Sequence, residues 1–470
     1  MLLINKKSIF FFFIGSITCS PLLPINSETA PEVSWTKLLG TSTSDIGYGV
    51  ATSSDGSIYI TGYTFGDLDG QTNVGGSTDA FLAKYASDGT KTWTKLLGTS
   101  TSEFSNGVAT TSDGSVYITG VTFGDLDGET NAGYIDAFLT KYDSEGTKAW
   151  TKLLGSSNSD STSTGVAAAS DGSVYITGYT SGNLDGETNA GSYDAFLTKY
   201  SSDGTKVWTK LIGTSNSDLS KGVAAASDGS VYITGYTTGN LDGEINAGRR
   251  DAFLTKYSSD GTKAWTKLLG TSNIEYGYGV ATSTDGSLYI TGRTKGNLDE
   301  ETNAGSYDAY LTKYSSDGTK AWTKLLGTST VDLSNGVATT SDGSVYISGY
   351  THGNLDGETN AGSNDIFVTK YSSDGTKVWT KLIGTSNSDI GYGVATSSDG
   401  SLYISGYTHG NLDGETNAGS TDAFLIKLAE ASLHTEWVQP YAAMQSVGLG
   451  SIENNRDLVL AKAGECNNSG

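Results

Sequence analysis

Residues 178–208 read GYTSGNLDGETNAGSYDAFLTKYSSDGTKVW, Gly178 to Trp208, and are followed by TKLIG. Close copies of this stretch run along most of the chain. Tryptophan marks the period: Trp35, Trp93, Trp150, Trp208, Trp265, Trp322 and Trp379, in steps of 58, 57, 58, 57, 57 and 57 residues. A fixed period of this size signals a repeat architecture, in which one unit cannot bury its apolar surface without its neighbours.

One period reads as four strands. GVAAAS (165–170) is a short strand of small residues, and Asp171-Gly172 is a hairpin signal. SVYITGYT (173–180) is the second strand, followed by the long loop 181–193. DAFLTKY (194–200) is the third, turned by Ser202-Asp203-Gly204-Thr205 into the fourth, KVWTKLI (206–212). The strands do not alternate cleanly: Val174, Tyr175 and Ile176 are consecutive, as are Ala195, Phe196 and Leu197. Such runs predict sheets covered on both faces. A sandwich leaves one face of each sheet in water, whereas a propeller blade lies between two neighbours. Small first strands fit the crowded axis.

The count of units predicts the closure. The GVA-type strand begins at Gly49, Gly107, Gly165, Gly222, Gly279, Gly336 and Gly393, seven copies. The seventh unit ends at DAFLIKL (422–428) without a clear fourth strand, while a spare one, Trp35-Thr36-Lys37-Leu38-Leu39, stands at the front. The expectation is an all-β, seven-bladed β-propeller of four-stranded antiparallel blades over residues 35–428, with the N-terminal strand completing the last blade. This closure removes free sheet edges. LHTEWVQ around Trp437 competes for the same slot, but its neighbours do not match the repeat.

Composition agrees. Gly is high at 63 residues, Pro low at 4, and Trp, Tyr and Phe total 48 (8, 27 and 13), as expected for short strands and tight turns. The net charge of −22 argues against nucleic acid and anionic lipid surfaces as partners. Two cysteines, Cys19 and Cys466, exclude a disulfide framework.

Residues 1–20 carry Lys6 and Lys7 before a short apolar core, Ile9 to Ile17, the pattern of a secretory signal peptide. Ser16-Ile17-Thr18 is a poor lipobox for anchoring through Cys19. Residues 21–34 read as a linker holding three of the prolines. Residues 429–470 leave the repeat and read as a tail, with a helix or cap around Glu430–Val447 and a sequon at Asn467. Together these predict an exported, monomeric propeller of the cell envelope or exterior.

The repeat, for example DAFLTKYSSDGTKVWTKLIGTSNSDLSKGVAAASDGSVYITGYT (194–237), resembles the bacterial β-propeller repeat family known as SBBP. The resemblance spans about residues 35–428. It implies a seven-bladed propeller in exported or surface proteins, and it brings no catalytic residues. The uniform LDGETNAG insert departs from the family's pattern.

Two features are candidates for function. The hairpins are uniform, whereas the fourth-to-first-strand loops, the residue opening each long loop and the residue before each D-x-F vary. Propeller geometry puts these variable positions on one face. Phe65, Phe123, Tyr193, Arg250, Lys295, His352 and His409 are accordingly expected to bind a protein or glycan; drift of unconstrained loops is the competing reading. The second candidate is the acidic loop, with Asp67, Asp69 and Asn73, then Asp125, Asp127 and Asn131, and Asp185, Asp242, Asp356 and Asp413 in later copies. Oxygen ligands two residues apart beside a glycine suit a hard cation such as Ca²⁺. The alternative is an Asx turn. Glu300 replaces the glycine in the fifth copy. The repeated tryptophans read as core. With three histidines, all late in the chain, no catalytic triad can be assembled, and the chain is expected to be non-enzymatic.

Overall fold

The computed structural model describes residues 23–75, 77–157, 161–429 and 433–438. Residues 30–431 form one unit of seven four-stranded antiparallel blades. In each blade, strands a to d run from the axis outward. Blade 1 comprises Asp45–Thr52, Ile58–Thr64, Asp79–Tyr85 and Lys91–Leu97. Blades 2 to 6 begin at the a strands Glu103–Thr110, Ser161–Ala168, Asp218–Ala225, Glu275–Thr282 and Asp332–Thr339. Blade 7 takes a, b and c from Asp389–Thr396, Leu402–Thr408 and Asp422–Leu428, and its d strand from Val33–Leu39. There Trp35 pairs with Lys427 and Leu38 with Phe424. The front strand therefore closes the ring, as its sequence predicts.

Trp437 lies elsewhere. Its strand, Leu433–Val438, pairs antiparallel with Leu23–Glu28 in a separate two-stranded sheet. The first of these falls in the stretch read as a helix or cap, the second in the stretch read as a linker. Each is short and extended, and each supplies the other's missing ladder partner. The signal-peptide reading, Asn467 and both cysteines lie outside the described residues.

The core sits between blades. Leu39, Tyr403, Ala423 and Leu425 of blade 7 pack with Ile58, Ile60, Leu68 and Phe81 of blade 1. Equivalent clusters fill the other steps, for example Tyr59, Leu82 and Leu97 against Val116, Ile118 and Phe138. All seven residues of Asp79–Tyr85 are buried, which is why its apolar residues need not alternate.

Near the axis the glycine of each Gly-Val pair on the a strands has little room for a side chain. A Cβ on Gly49 would lie 3.0 Å from the Val108 nitrogen of the next blade. One residue earlier, each of these strands carries a register shift: Gly47 pairs with Gly62 and Gly49 with Thr61, leaving Tyr48 unpaired. This bulge re-aims a side chain.

The a–b hairpins close through glycine at positive φ. Gly56 has φ 82°, its N–H donates to the Ser53 carbonyl, and the Ser53 N–H donates to that of Ser57. Asp55 Oδ1 accepts the Ser57 N–H at 2.9 Å. This is the three-residue hairpin with a left-handed glycine.

The tryptophans differ from expectation. Only Trp379 counts as buried, at 7 % exposure; the other six on d strands are half-buried. Each of those six lies beside the tyrosine two strands inward, Trp93 on Tyr59 at 5.9 Å for example, and reaches the next blade. The indole of Trp93 donates to the Ser144 carbonyl at 3.3 Å, and Lys84 donates to the same carbonyl at 2.9 Å. Tryptophan here fastens blade to blade, because the neighbour's turn glycine, Gly146, leaves space for the ring.

Candidate functional site: the variable face and axial mouth

The long b–c loops and the d–a loops share one face of the ring. The acidic loop there is built as a tight turn. Leu68 and Gln71 exchange N–H···O bonds in both directions, and the residues between them, Asp69 and Gly70, have φ of 52° and 75°. Two consecutive positive-φ residues define a type I′ turn, the setting that favours Asp-Gly. Leu68 is buried beneath it.

The oxygens proposed as cation ligands are engaged by the protein. Asp67 Oδ1 accepts the Asn73 N–H at 2.9 Å, and Asp125 Oδ1 accepts that of Asn131 at 2.8 Å. Asp69 Oδ1 receives Lys91 at 2.5 Å, and its Oδ2 receives the Thr94 hydroxyl at 2.6 Å. Asp127, Asp185, Asp242 and Asp356 repeat this with Lys148, Lys206, Lys263 and Lys377 and the matching threonines. In blade 7 Val33 stands where the lysine would be, and Asp413 keeps the Thr36 bond at 2.6 Å. The alternating oxygens thus latch the loop to the d strand of its own blade and do not converge on a common point. Among the described residues there is no group of three or more His, Cys, Asp or Glu able to hold a metal ion.

Below these loops lies a ring of buried acids. Burial pushes Asp79, Asp251 and Asp308 up to about 6, opposed by the N–H groups of Val74, Ala247 and Ala304 and reinforced by Glu103, Glu275 and Asp332 of the following blades. Perturbed acids are candidates for chemistry. These recur from blade to blade and are at most 1 % exposed, which marks them as framework.

The seven residues displaced by the a-strand bulges converge on the axis. Tyr48, Asn106, Thr164, Lys221, Tyr278, Asn335 and Tyr392 all line an axial cavity of about 550 Å³. Asn106 and Asn335 donate across to the next blade, to the Ser163 and Gly391 carbonyls, both at 2.8 Å. Lys221 is the one cation of this ring; burial holds its pKa below the usual lysine range, and its ammonium lies 5.1 Å from the Tyr179 ring centre. Sequence reading missed this ring. Its trace was the changing residue before each Gly-Val.

The expected face residues lie around that mouth. Phe65 is 48 % exposed and meets Tyr63 edge-on. Phe123 meets Phe104 and Tyr134, and Tyr193 meets Tyr179. His352 and His409 lie beside the tyrosines two residues earlier, Tyr350 and Tyr407, at 5.9 and 5.6 Å. Arg250 and Lys295 belong to a denser group on blades 4 and 5. Arg250 lies 5.2 Å from the ring centres of both Tyr236 and Tyr276 and donates to the Tyr276 hydroxyl. Arg293, which sequence reading passed over, lies 4.5 Å from Tyr276 and 4.7 Å from Tyr307. Lys295 stands 5.7 Å from Tyr307.

Comparison with known proteins agrees with this architecture. The family model described as Beta-propeller repeat (SBBP) matches residues 34–69, 149–185, 207–242, 264–299 and 378–413. The chain is a seven-bladed propeller, and five stretches of it match the SBBP beta-propeller repeat. It is similar to the Regulatory protein FlaEY of Caulobacter vibrioides, 27 % identical over 396 residues, 73 % of this chain and 41 % of that protein. It also resembles the Uncharacterized WD repeat-containing protein L264 of Acanthamoeba polyphaga mimivirus, 22 % identical over 519 residues, 83 % of this chain and 37 % of that one. The alignments thus span about two fifths of each relative's length. Among solved structures, a polysaccharide lyase of the ulvan lyase type superposes with a TM-score of 0.48 at 9 % identity, over 90 % of this chain and 99 % of that one.

Proposed function

We propose that the protein is an exported, non-enzymatic binding module that engages a partner with the face carrying the d–a and b–c loops. One observation carries this reading. The hairpins, b and c strands and interblade fastenings are nearly copied from blade to blade, while side-chain identity changes at the loop openings, before each D-x-F and in the bulge ring, all facing one mouth. Exposed aromatics there, Phe65 and Tyr134 at 48 and 70 %, supply the large, stiff contact area that recognition sites favour. Glycan and protein arrays probed with the whole chain test it. Exchanging the face residues of blades 4 and 5 for those of blade 3 abolishes the interaction on this reading; unchanged binding after the exchange overturns it.

A second reading, a carbohydrate-active enzyme, draws on one observation: Arg250 and Arg293 come from different blades to one group of tyrosines. Incubation with acidic polysaccharides, followed by chain-length analysis, separates it from pure binding.

A further inference from the structure

The group on blades 4 and 5 is unusual for this protein. The sequence contains four arginines, Arg249, Arg250, Arg293 and Arg456, and three of them belong to this one sector of the variable face. A guanidinium in a protein surface ordinarily meets a carboxylate. Among the described residues Arg250 and Arg293 have no ion pair; their neighbours are the rings of Tyr236, Tyr276, Tyr278 and Tyr307. Arg293 Nε is buried without a hydrogen-bond partner. Four acids of the long loops on these blades pair with lysines, Asp242 and Glu244 with Lys263 and Lys267, Asp299 and Glu301 with Lys320 and Lys324, and Glu275 accepts from the Thr271 and Thr294 hydroxyls. Two half-buried guanidinium groups, with Arg249 and Lys295 exposed beside them, therefore form a cationic island on a chain of net charge −22.

We propose that this island is a binding site for an acidic polysaccharide, one whose sugar rings bear carboxylate or sulfate groups. The inference rests on the binding-face reading above and names its ligand class. Planar guanidinium groups suit such oxyanions because they donate two parallel N–H bonds. Stacking on tyrosine fixes the guanidinium planes in advance, so little freedom is lost on binding. Tyr276 and Tyr278 lie nearly parallel, at 6°, and Tyr278 also lines the axial cavity. The tyrosine rings, Tyr276 among them buried at 8 % exposure, serve as supports for the guanidinium groups, and the cationic edges left outward, with Arg249 and Lys295, supply successive anion positions along the ligand. The remaining negative charge of the protein repels polyanions from other surfaces, which confines them to this sector.

Calorimetry of the full chain with polygalacturonate, heparin and neutral dextran tests the proposal. Binding of polygalacturonate alone identifies a carboxylate site, and binding of heparin alone a sulfate site; affinity should fall steeply with salt. R293Q should raise Kd tenfold or more, and K295Q, which alters an exposed side chain and spares the fold, severalfold. R293K should restore the charge but not the affinity. Equal binding of dextran, no binding of either polyanion, or wild-type affinity in both R293Q and K295Q overturns the proposal. If array hits persist through R293Q and K295Q yet vanish on the blade exchange, the acidic-ligand inference fails while the binding-face reading stands.

Discussion

The indole nitrogen of Trp35 donates to the carbonyl oxygen of Ser87 at 3.3 Å, across 52 residues of chain and across the seam between the last blade and the first. Lys427 of the same blade donates to that carbonyl at 3.1 Å. This step is continuous in sequence like the other six, since Val33–Leu39 runs on into Asp45–Thr52; the break in the chain lies inside blade 7, where Val33–Leu39 is joined to Asp422–Leu428 by pairing and packing and by no hairpin.

Replacing Trp35 by Ala should therefore lower stability by about 2–3 kcal/mol, below the value for a fully buried tryptophan because the ring is half-exposed. Trp35→Phe keeps the ring packing and loses the indole bond, at a cost of about 1 kcal/mol. Urea unfolding of both variants checks the difference. The same change at Trp208, whose strand is tied by a hairpin to the third strand of its own blade, should cost less.

Glu300 occupies the turn position that is glycine in the other blades, at φ 71°. A residue with a Cβ loses about 1–2 kcal/mol in this region. Glu300→Gly should stabilise the protein by about 1 kcal/mol in thermal or urea unfolding, even after the entropy of the added glycine is charged. Gly357→Glu in blade 6 should show the reverse sign.

Stability should peak near pH 4 and fall on both sides. Asp79, Asp251 and Asp308 are raised to about 6, chiefly by burial. The folded state holds their protons more tightly than the unfolded state, so this stability is full below the ordinary aspartate value and is lost as pH rises through about 6. Asp203, Asp317 and Asp374 behave oppositely. Hydrogen bonds from Ser201, Ser315 and Ser372 lead the causes that lower them to about 2, and their contribution disappears as pH falls through that value. Melting temperature against pH tests this, and Asp79→Asn should flatten the alkaline side.

Calcium should leave the melting temperature unchanged at millimolar concentration, because Lys91 and Thr94 already hold the oxygens of Asp69. Thr94→Val should cost about 1 kcal/mol by stranding a half-buried acceptor, more than Lys91→Met, whose exposed pair contributes a few tenths. A rise of several degrees with calcium, abolished by chelation, would return the acidic loops to the metal-site reading.

The sevenfold count, the strand order and the closing strand were legible because repetition makes the missing d strand of blade 7 conspicuous. The fastening role of the tryptophans was not, since indole burial depends on a turn in the next blade, some fifty residues on, as with Trp93 and Ser144. The bulge ring was hidden because the first strand was read as starting at the Gly-Val, which left Lys221 in the loop before it, whereas the strand starts at Asp218 and bulges at Lys221. Arg293 was overlooked for a different reason: it replaces the tyrosine of T-G-Y-T within a strand, where substitution reads as packing. In the acidic loop, Asp-Gly signalled a real turn, but partners from the d strand decided the fate of the oxygens. Leu433–Val438 was misread because its pairing strand, Leu23–Glu28, lies more than four hundred residues away.

Val33–Leu39 is translated before every blade, whereas its partner Asp422–Leu428 arrives after all of them. An emerging chain thus carries a finished outer edge with nowhere to dock, while Lys91–Leu97, Lys148–Leu154 and their copies appear in turn with almost the same residues. Correct assembly requires that each newly made c strand capture the segment directly behind it faster than it captures the waiting leader. The short hairpins between c and d supply that kinetic preference, so the brevity of Ser-Asp-Gly-Thr guards the order of assembly as well as the shape of the finished molecule.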